Sequence, residues 1–338
     1  MTWSSLSLSP IDTCWLFLAL CFLVAFSVHK ASARLPREYR KSGLFTVFQD
    51  LIRYGKTKQK LHRAQWLRVF DVPKRWFWHF YAISICWNIF LLLLSFNFIY
   101  QLQSYPSWLT GMLEILTGVP SPFGQAPQLS TVLVQLLLCV HSLRRLLECL
   151  FVSVFSDGAM HLVQYLFGLG YYIVLGLTVL CSDRTAKGPG TLLSRSDWIR
   201  AAGFVLFIAA SLLQHQSIVL LAGLRKGKSG RVETLAHRVP EGGWFELVSC
   251  PHYFAELLIY VSLGFALGGF SFTWWLVVLY VLFNQALAGQ LCHDLYVSNL
   301  DSGTELITRN TNESVGSVNS LLERHYNFPL ELAQLVSL

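Results

Sequence analysis

Charged side chains are scarce in this chain. Only 13% of its 338 residues are Asp, Glu, Lys or Arg, whereas 54% are hydrophobic and the mean hydropathy is +0.47. A soluble domain carries about 25% charged residues. The scarcity excludes an ordinary soluble domain and predicts an all-α, polytopic membrane protein.

Familiar catalytic and metal-binding motifs are also missing. The eight cysteines form no CxxC pair and show no metal-ligand spacing, so we expect neither a disulfide framework nor a metal site. The chain lacks a Walker lysine motif, GxSxG, HExxH and a GxGxxG that follows a strand. These absences exclude the common soluble templates for nucleotide binding and hydrolysis.

Long apolar runs are present instead. The first, residues 11–28, resembles a signal peptide, but no basic residue precedes it and it is longer than a usual signal core, which favours a retained span. Each run is long enough to cross a bilayer as a helix. We predict about seven transmembrane helices, at roughly 11–28, 77–101, 129–153, 160–181, 198–224, 244–270 and 272–296.

The distribution of positive charge predicts the orientation. Residues 29–76 contain thirteen Lys and Arg, whereas residues 102–128 contain none. The positive-inside rule then places the N-terminus in the lumen and the C-terminus in the cytoplasm. Because most of the net charge of +7 lies in one loop, it indicates topology rather than affinity for nucleic acid. The chain shows no internal repeat, which argues against transporters built from duplicated halves.

Polar side chains within the apolar half lie mostly toward the predicted cytoplasmic side. Arg144 and Arg145 lie three to four residues from Glu148, so both can pair with it on a helix. Such an arginine pair can simply mark the end of a span, and each polar residue alone can be a structural hydrogen-bond partner. A one-sided cluster favours a functional site. Its members are Asp71, His141, Arg144, Arg145, Glu148, Gln214, His215, His252, Glu256, Asn284 and His293.

Several stretches, taken in order, resemble a known family. HSLRRLLECLFVSVFSDGAM (141–160) resembles a cytoplasmic helix signature of the steroid 5α-reductases and trans-2-enoyl-CoA reductases. The rest is similar to the polyprenol reductase (type 3) branch of the steroid 5α-reductase family, over roughly residues 45–296. The segments that carry this similarity are FQDLIRYGKTK (48–58), FDVPKRWFWHFY (70–81), LRKGKSG (224–230) with HRVP, WFELVSCPHYFAELLIYVS (244–262) and FTWWLVVLYVLFNQAL (272–287).

The resemblance implies an NADPH-dependent reductase of the endoplasmic reticulum membrane. It would reduce the α-isoprene double bond of polyprenol or polyprenal in dolichol synthesis for protein N-glycosylation, and 3-oxo-Δ4 steroids are a further substrate class. The implied partner is a long isoprenoid lipid, with no metal and no nucleic acid. The resemblance also divides the chain into a reductase domain, residues 1–296, and a tail, residues 297–338.

The resemblance also implies site residues. Gln214 and His252 occupy places where steroid-acting members have asparagine, and His237 stands where they have tyrosine. His293 and Tyr296, in LCHDLY, match the last polar pair beside the cofactor. The loop LRKGKSG adds glycines and basic side chains that can hold a phosphate. The implied cofactor contacts are Arg145, Gln214, Arg225, His237, His252, Glu256 and Tyr296.

The reaction chemistry predicts a carbonyl substrate. Hydride attack on a double bond needs a conjugated electron sink, which the enal polyprenal supplies and the allylic alcohol does not. By the resemblance, Asp71 aligns with the glutamate that contacts the carbonyl, and Ser142 falls where the partner tyrosine would be. The apolar flanks of Asp71, Phe70 and Val72, would raise its pKa and keep it protonated. Asp71 can equally cap a helix before Pro73. His293 can relay a proton or serve only the structure.

The tail departs from the family pattern. After Tyr296, family members continue with a basic segment, YPKxRKAxxPF, that helps to complete the cofactor pocket, and here VSNLDSGTELITRN takes its place. We expect a polar, flexible tail with a short amphipathic helix near residues 317–325. The departure leaves open a catalytically impaired isoform. A non-enzymatic seven-span receptor or transporter also stays open, as does a steroid or enoyl-CoA reductase.

Overall fold

Helices dominate the architecture of the computed structural model. The structure describes residues 8–59, 61, 63–100, 103–120, 127–185, 193–227, 229–235 and 239–310. Within these residues the α-helices are α1 Pro10–Ala31, α2 Arg37–Arg40, α3 Gly43–Ile52, α4 Lys56–Gln59, α5 Trp78–Ile99, α6 Ser107–Thr117, α7 Leu129–Leu147, α8 Leu162–Thr185, α9 Leu193–Gly223, α10 Pro251–Ala266 and α11 Phe272–Asn310.

The predicted all-α membrane fold is confirmed. Five segments are long and apolar enough to cross a bilayer, and each coincides with a predicted span. Helices α7 and α10, with 19 and 16 residues, occupy the other two predicted positions. The count of seven and the orientation of the two ends stay predictions. The five segments are Pro10–Ala31, Lys74–Ile99, Leu162–Ser182, Asp197–Gly223 and Phe272–Ser298.

Local chemistry sets the helix ends. At the start of α1, the Asp12 backbone N–H donates to the Ser9 hydroxyl at 3.2 Å, and the Asp12 carboxylate accepts from the Ser9 backbone N–H at 3.3 Å in return. This reciprocal capping satisfies amide groups that the first helical turn leaves free. Helix α6 ends at Gly118, whose φ of +67° is a left-handed conformation that glycine adopts without strain.

The helices pack closely where small residues face a neighbouring backbone. Helix α9 packs mainly against α10, and α1 against α11. A Cβ atom at Gly203 would lie 2.7 Å from the Ser262 carbonyl oxygen and 2.8 Å from the Ala266 nitrogen. Small residues of this kind let membrane helices approach at backbone distance, where van der Waals contact replaces the hydrophobic effect.

A short strand pair joins two loops that lie far apart in the sequence. Strand β1, Asp71–Pro73, pairs antiparallel with strand β2, Ala159–His161. Beside it, the Gly55 N–H donates to the Ala159 carbonyl at 2.7 Å. The first basic loop is therefore fastened to the segment that follows α7. Lys56 directly follows Gly55, so the fastening also holds Lys56 near that segment.

Helix α11 continues past Tyr296 to Asn310. The predicted boundary between reductase domain and tail therefore falls within a helix, and the division itself stays a prediction. The amphipathic helix predicted near residues 317–325 lies outside the described residues.

We expect Gly203→Ala to destabilise the protein and Gly170→Ala to leave it unchanged or slightly more stable. Overpacking at a well-filled contact lowers the free energy of unfolding by about 1–3 kcal/mol. No atom lies within 4 Å of a Cβ at Gly170, where alanine only improves helix propensity. Thermal unfolding of the purified protein in detergent measures both effects. Equal melting temperatures for the two variants would contradict the close packing of α9 on α10.

Candidate functional site

A buried glutamate joins the arginine pair at the end of α7. Glu148 begins a π-helical turn, Glu148–Val152, and only 2% of its surface is exposed. Arg144 Nη1 donates to its Oε1 at 2.7 Å, and Arg145 Nη1 donates to its Oε2. His215 Nδ1 lies 2.9 Å from Oε1. The predicted pairing of both arginines with Glu148 is confirmed.

Hydrogen bonds continue from this pair to α9 and α10. Arg144 Nη2 also donates to the side-chain oxygen of Gln214. Gln214 Nε2 in turn donates to Glu256 and, at 3.2 Å, to the His252 carbonyl oxygen. His141 Nε2 lies 3.4 Å from the other oxygen of Glu256. Three helices are thus cross-linked by groups that would be costly to bury unpaired.

A large cavity of about 750 Å³ opens beside this network. Its polar wall includes Arg145, Gln214, His252 and Glu256, four of the predicted cofactor contacts, together with Gln164, Asn284 and Gln285. The remaining wall is mostly aliphatic and aromatic. Its aromatic residues are Phe22, Tyr54, Phe77, Phe80, Tyr81, Phe167, Tyr171, Tyr172, Tyr253, Tyr260 and Tyr280.

A smaller basic cavity, of about 180 Å³, lies next to the large one and shares His252 and Tyr253 with it. Lys56, Lys74 and Arg225 line it, and every described residue of its wall is neutral or basic.

Besides His252, two further predicted cofactor contacts, Arg225 and Tyr296, lie in the wall of this basic cavity. Lys56 Nζ donates to the Tyr296 hydroxyl at 2.7 Å, and Arg225 donates to the Val154 carbonyl. A wall that carries several cations and no described carboxylate suits a phosphate. His237, the seventh predicted contact, lies outside the described residues.

Asp71 differs from its prediction. Arg63 Nη1 donates to its Oδ1 at 2.8 Å, Arg63 Nη2 donates to Oδ2, and Lys58 Nζ lies 3.1 Å from Oδ1. Burial acts to raise the pKa of Asp71, but hydrogen bonds and charge from Arg63 and Lys58 outweigh it and hold that pKa below its ordinary value of 3.8. The expected raised pKa and protonated carboxyl are wrong, because the apolar flanks do not exclude these cations.

The same two cations also bind Asp50, which is fully buried. Lys58 Nζ lies 3.0 Å from one Asp50 oxygen, and Arg63 Nη1 lies 3.1 Å from the other. Two carboxylates and two cations thus neutralise one another. Asp71 is absent from the described walls of both cavities, and it does not cap the helical turn Lys74–Phe77, which has no side-chain cap. The cluster holds the first loop together rather than facing either cavity.

The other predicted substrate contacts also lie apart from the large cavity. His293 Nδ1 lies 2.9 Å from the Ser249 hydroxyl, and the role of His293 as a proton relay stays a prediction. Ser142, which stands where the family has tyrosine, lies 2.7 Å from Ser84, and both are fully buried. Neither is among the described residues lining the large cavity.

Sequence reasoning misses several of the residues that line the cavities. Lys56 and Lys74 enter it only as charges that set the topology, although they lie in FQDLIRYGKTK and FDVPKRWFWHFY. Tyr81 closes the second of these segments as one aromatic residue among many. The similarity of both segments to the family could have identified these residues as candidates for the site, although the segments lie outside the signature helix.

Comparison with known proteins agrees with this architecture. Residues 157–302 match the family model described as 3-oxo-5-alpha-steroid 4-dehydrogenase. The chain is 53% identical over 293 residues to a polyprenal reductase of Danio rerio, which covers 86% of this chain and 93% of the relative. It is 51% identical over 294 residues to that of Xenopus tropicalis (85% and 94%) and 45% identical over 305 residues to that of Homo sapiens (88% and 93%).

We expect Asp71→Asn to lower the melting temperature at pH 7, because the amide leaves Arg63 and Lys58 with one carboxylate fewer. A carboxyl whose folded-state pKa is lowered stabilises fully above its ordinary pKa of 3.8, and this stability is lost as pH falls through the folded-state pKa. The free energy of unfolding of Asp71→Asn should therefore be about 2 kcal/mol lower than that of the wild type at neutral pH. It should shrink as the pH falls below that ordinary value.

Thermal unfolding is measured at pH 7 and at a pH below 3.8. Asp157→Asn, at an exposed carboxylate, is the matched control. A wild-type protein no more stable than Asp71→Asn at pH 7 would contradict the ion-pair cluster.

Proposed function

Because this chain belongs to the 3-oxo-5-alpha-steroid 4-dehydrogenase (steroid 5α-reductase) family, on the polyprenal reductase branch, we propose that it reduces polyprenal with NADPH. It is a multi-pass membrane oxidoreductase that acts on CH–CH bonds. The proposed reaction saturates the α-isoprene unit at the endoplasmic reticulum membrane, as a step of dolichol synthesis for protein N-glycosylation.

The observation that carries the proposal is the pair of adjoining cavities. One is small and basic, and the other is large and aromatic with a polar wall. A dinucleotide has the matching division, because its phosphates are anionic and its nicotinamide is a flat ring with an amide group. His252 lines both cavities, and its buried Nδ1 has no hydrogen-bond partner among the described residues. The residues present therefore fit NADPH.

The two walls suggest a division of roles. Lys56, Lys74 and Arg225 would hold phosphate oxygens by charge-assisted hydrogen bonds. Gln214 and Glu256 present amide and carboxylate groups that match the hydrogen-bonding groups of a carboxamide.

The remaining predicted cofactor contacts complete the proposed binding site. Arg145 lies in the wall of the large cavity, and Tyr296 and His252 in that of the basic cavity. His237 remains a proposed contact from the resemblance alone. When bound, NADPH supplies the hydride.

The large cavity suits the isoprenoid part of the substrate. Its wall includes Cys21, Val163 and Phe167, which are exposed on the outer faces of α1 and α8. The cavity thus reaches the surface that faces lipid, and the remainder of a long chain can stay in the bilayer. His293, one helical turn before Tyr296 on α11, is the proposed relay for the proton that completes the reduction.

The assay that tests the function uses purified protein, NADPH and one of three substrates. Polyprenal, polyprenol and a 3-oxo-Δ4 steroid are supplied separately, and saturated product is followed by mass spectrometry. We expect saturated aldehyde from polyprenal and no saturation of polyprenol, whose double bond has no electron sink. Reduction of the steroid alone would favour a steroid reductase. No product from any substrate, with no NADPH binding, would indicate an impaired isoform or a non-enzymatic membrane protein.

We expect Arg225→Gln to weaken NADPH binding about tenfold to a hundredfold, the loss of one charge-assisted hydrogen bond to a phosphate. The variant should retain its expression level, because the amide of glutamine is still a donor for the Val154 carbonyl. Isothermal titration of the purified protein measures the affinity.

Lys30→Gln is the control, since Lys30 Nζ lies over the Phe26 ring and outside both described cavity walls. Equal affinities for Arg225→Gln and wild type would count against the basic cavity as the phosphate site.

A further inference from the structure

The proposed reaction needs a hydrogen-bond donor at the substrate oxygen, and the two residues at the family positions do not provide one. Asp71 is ion-paired with Arg63, and Ser142 contacts Ser84. We propose that Tyr81 donates the hydrogen bond that stabilises the carbonyl oxygen of the enal during reduction. This inference rests on the proposed function.

Tyr81 lies in the wall of the large cavity with an unused proton. It belongs to α5, is 4% exposed, and lines the same cavity as Arg145 and Glu256. Its hydroxyl oxygen accepts a hydrogen bond from Arg145 Nε at 3.2 Å. Since the guanidinium has no acceptor, the phenol proton cannot be donated to Arg145. No acceptor for that proton is found in the described part of the chain, so it is available to a ligand in the cavity.

Other tyrosines of the cavity are less suited to this role. Tyr172 lies next to Tyr81, with ring centroids 5.7 Å apart, but no described hydrogen bond joins it to a cation. Other hydroxyl groups are bound to one another, Tyr171 to Tyr260 at 2.7 Å and Tyr54 to Tyr253 at 2.9 Å.

The arginine strengthens the donor. A phenol whose oxygen accepts from a cation becomes more polarised, and its own hydrogen bond becomes stronger. The guanidinium carbon of Arg145 lies 5.1 Å from the centre of the Tyr81 ring, and Glu148 holds the guanidinium in place. Donor and charge are therefore positioned before a substrate binds. Preorganised donors of this kind provide much of the rate enhancement where negative charge develops on oxygen.

The proposed step balances as a 1,4-reduction. A hydride adds to the β-carbon, the alkene π pair moves to form the bond between the α-carbon and the carbonyl carbon, and the carbonyl π pair moves to oxygen. Tyr81 donates its hydrogen bond to that oxygen and keeps its proton overall. The α-carbon then receives a proton that comes from solvent water through the proposed relay His293, as the carbonyl re-forms. The net reaction is enal plus NADPH plus H⁺ to saturated aldehyde plus NADP⁺.

We expect Tyr81→Phe to lower kcat for polyprenal by about 10²–10³-fold, the usual effect of removing one oxyanion donor. The dissociation constant of NADPH should change far less, because Arg145 keeps its bond to Glu148. Tyr165→Phe, a tyrosine on α8 that bonds His79 and lies outside the described walls of both cavities, is the control and should match wild type. A kcat for Tyr81→Phe within about twofold of wild type would overturn the inference. So would a loss of kcat of about 10²–10³-fold in Tyr172→Phe that Tyr81→Phe does not show.

A spectroscopic readout separates this inference from the proposed function. A hydrogen bond to the carbonyl oxygen lowers its stretching frequency, which difference infrared spectroscopy measures on a bound enal without turnover. We expect a lower frequency in wild type than in Tyr81→Phe. If wild type fails to reduce polyprenal, the proposed function fails, while this frequency still tests the contact. Equal frequencies in the two proteins, or no enal binding to either, would refute the role of Tyr81.

Discussion

The buried carboxylate of Glu148 is the group on which the rest of the site depends. A carboxylate and two guanidinium groups in an apolar helix are tolerated only because each guanidinium is paired with the carboxylate through hydrogen bonds. Their pairing fixes the end of α7 against α9 through Gln214, and it directs Arg145 toward the large cavity. Replacing Glu148 alone would leave two buried cations together, a strongly destabilising change.

Two lysines of the first loop illustrate how the chain divides its positive charge. Lys58 is bound by Asp50 and Asp71, so its charge serves to hold the loop. Lys56, two residues earlier, contacts the Tyr296 hydroxyl and ring and faces the basic cavity, whose described wall has no carboxylate. Lys58 therefore contributes to stability, whereas Lys56 is available to an anion. The strand pair of β1 and β2, with the hydrogen bond from Gly55 to Ala159, joins the loop that carries both lysines to the segment that follows α7.

Features that depend on local sequence patterns, such as helical spans and pairs within one helix, can be predicted from the sequence. The environment of a side chain cannot be predicted in this way when it is set by charged residues that the tertiary fold brings close. The five apolar spans follow from run length, and the pairing of Arg144, Arg145 and Glu148 follows from helical spacing. The neighbours of Asp71 in the sequence predict a raised pKa, but that pKa is governed by Lys58 and Arg63, which fold back onto the carboxylate. Tyr81 carries no signal of its own, because its significance comes from Arg145, sixty-four residues away. Contacts of this kind depend on tertiary packing.

The most direct test of the account follows the hydride itself. Purified protein is supplied with polyprenal and NADPH that carries deuterium at the transferable position of the nicotinamide, and the product is analysed by mass spectrometry and NMR. The account predicts a saturated aldehyde with one deuterium at the β-carbon. Deuterium at the carbonyl carbon, as in direct reduction of the aldehyde to polyprenol, would contradict it, and so would a saturated product without deuterium.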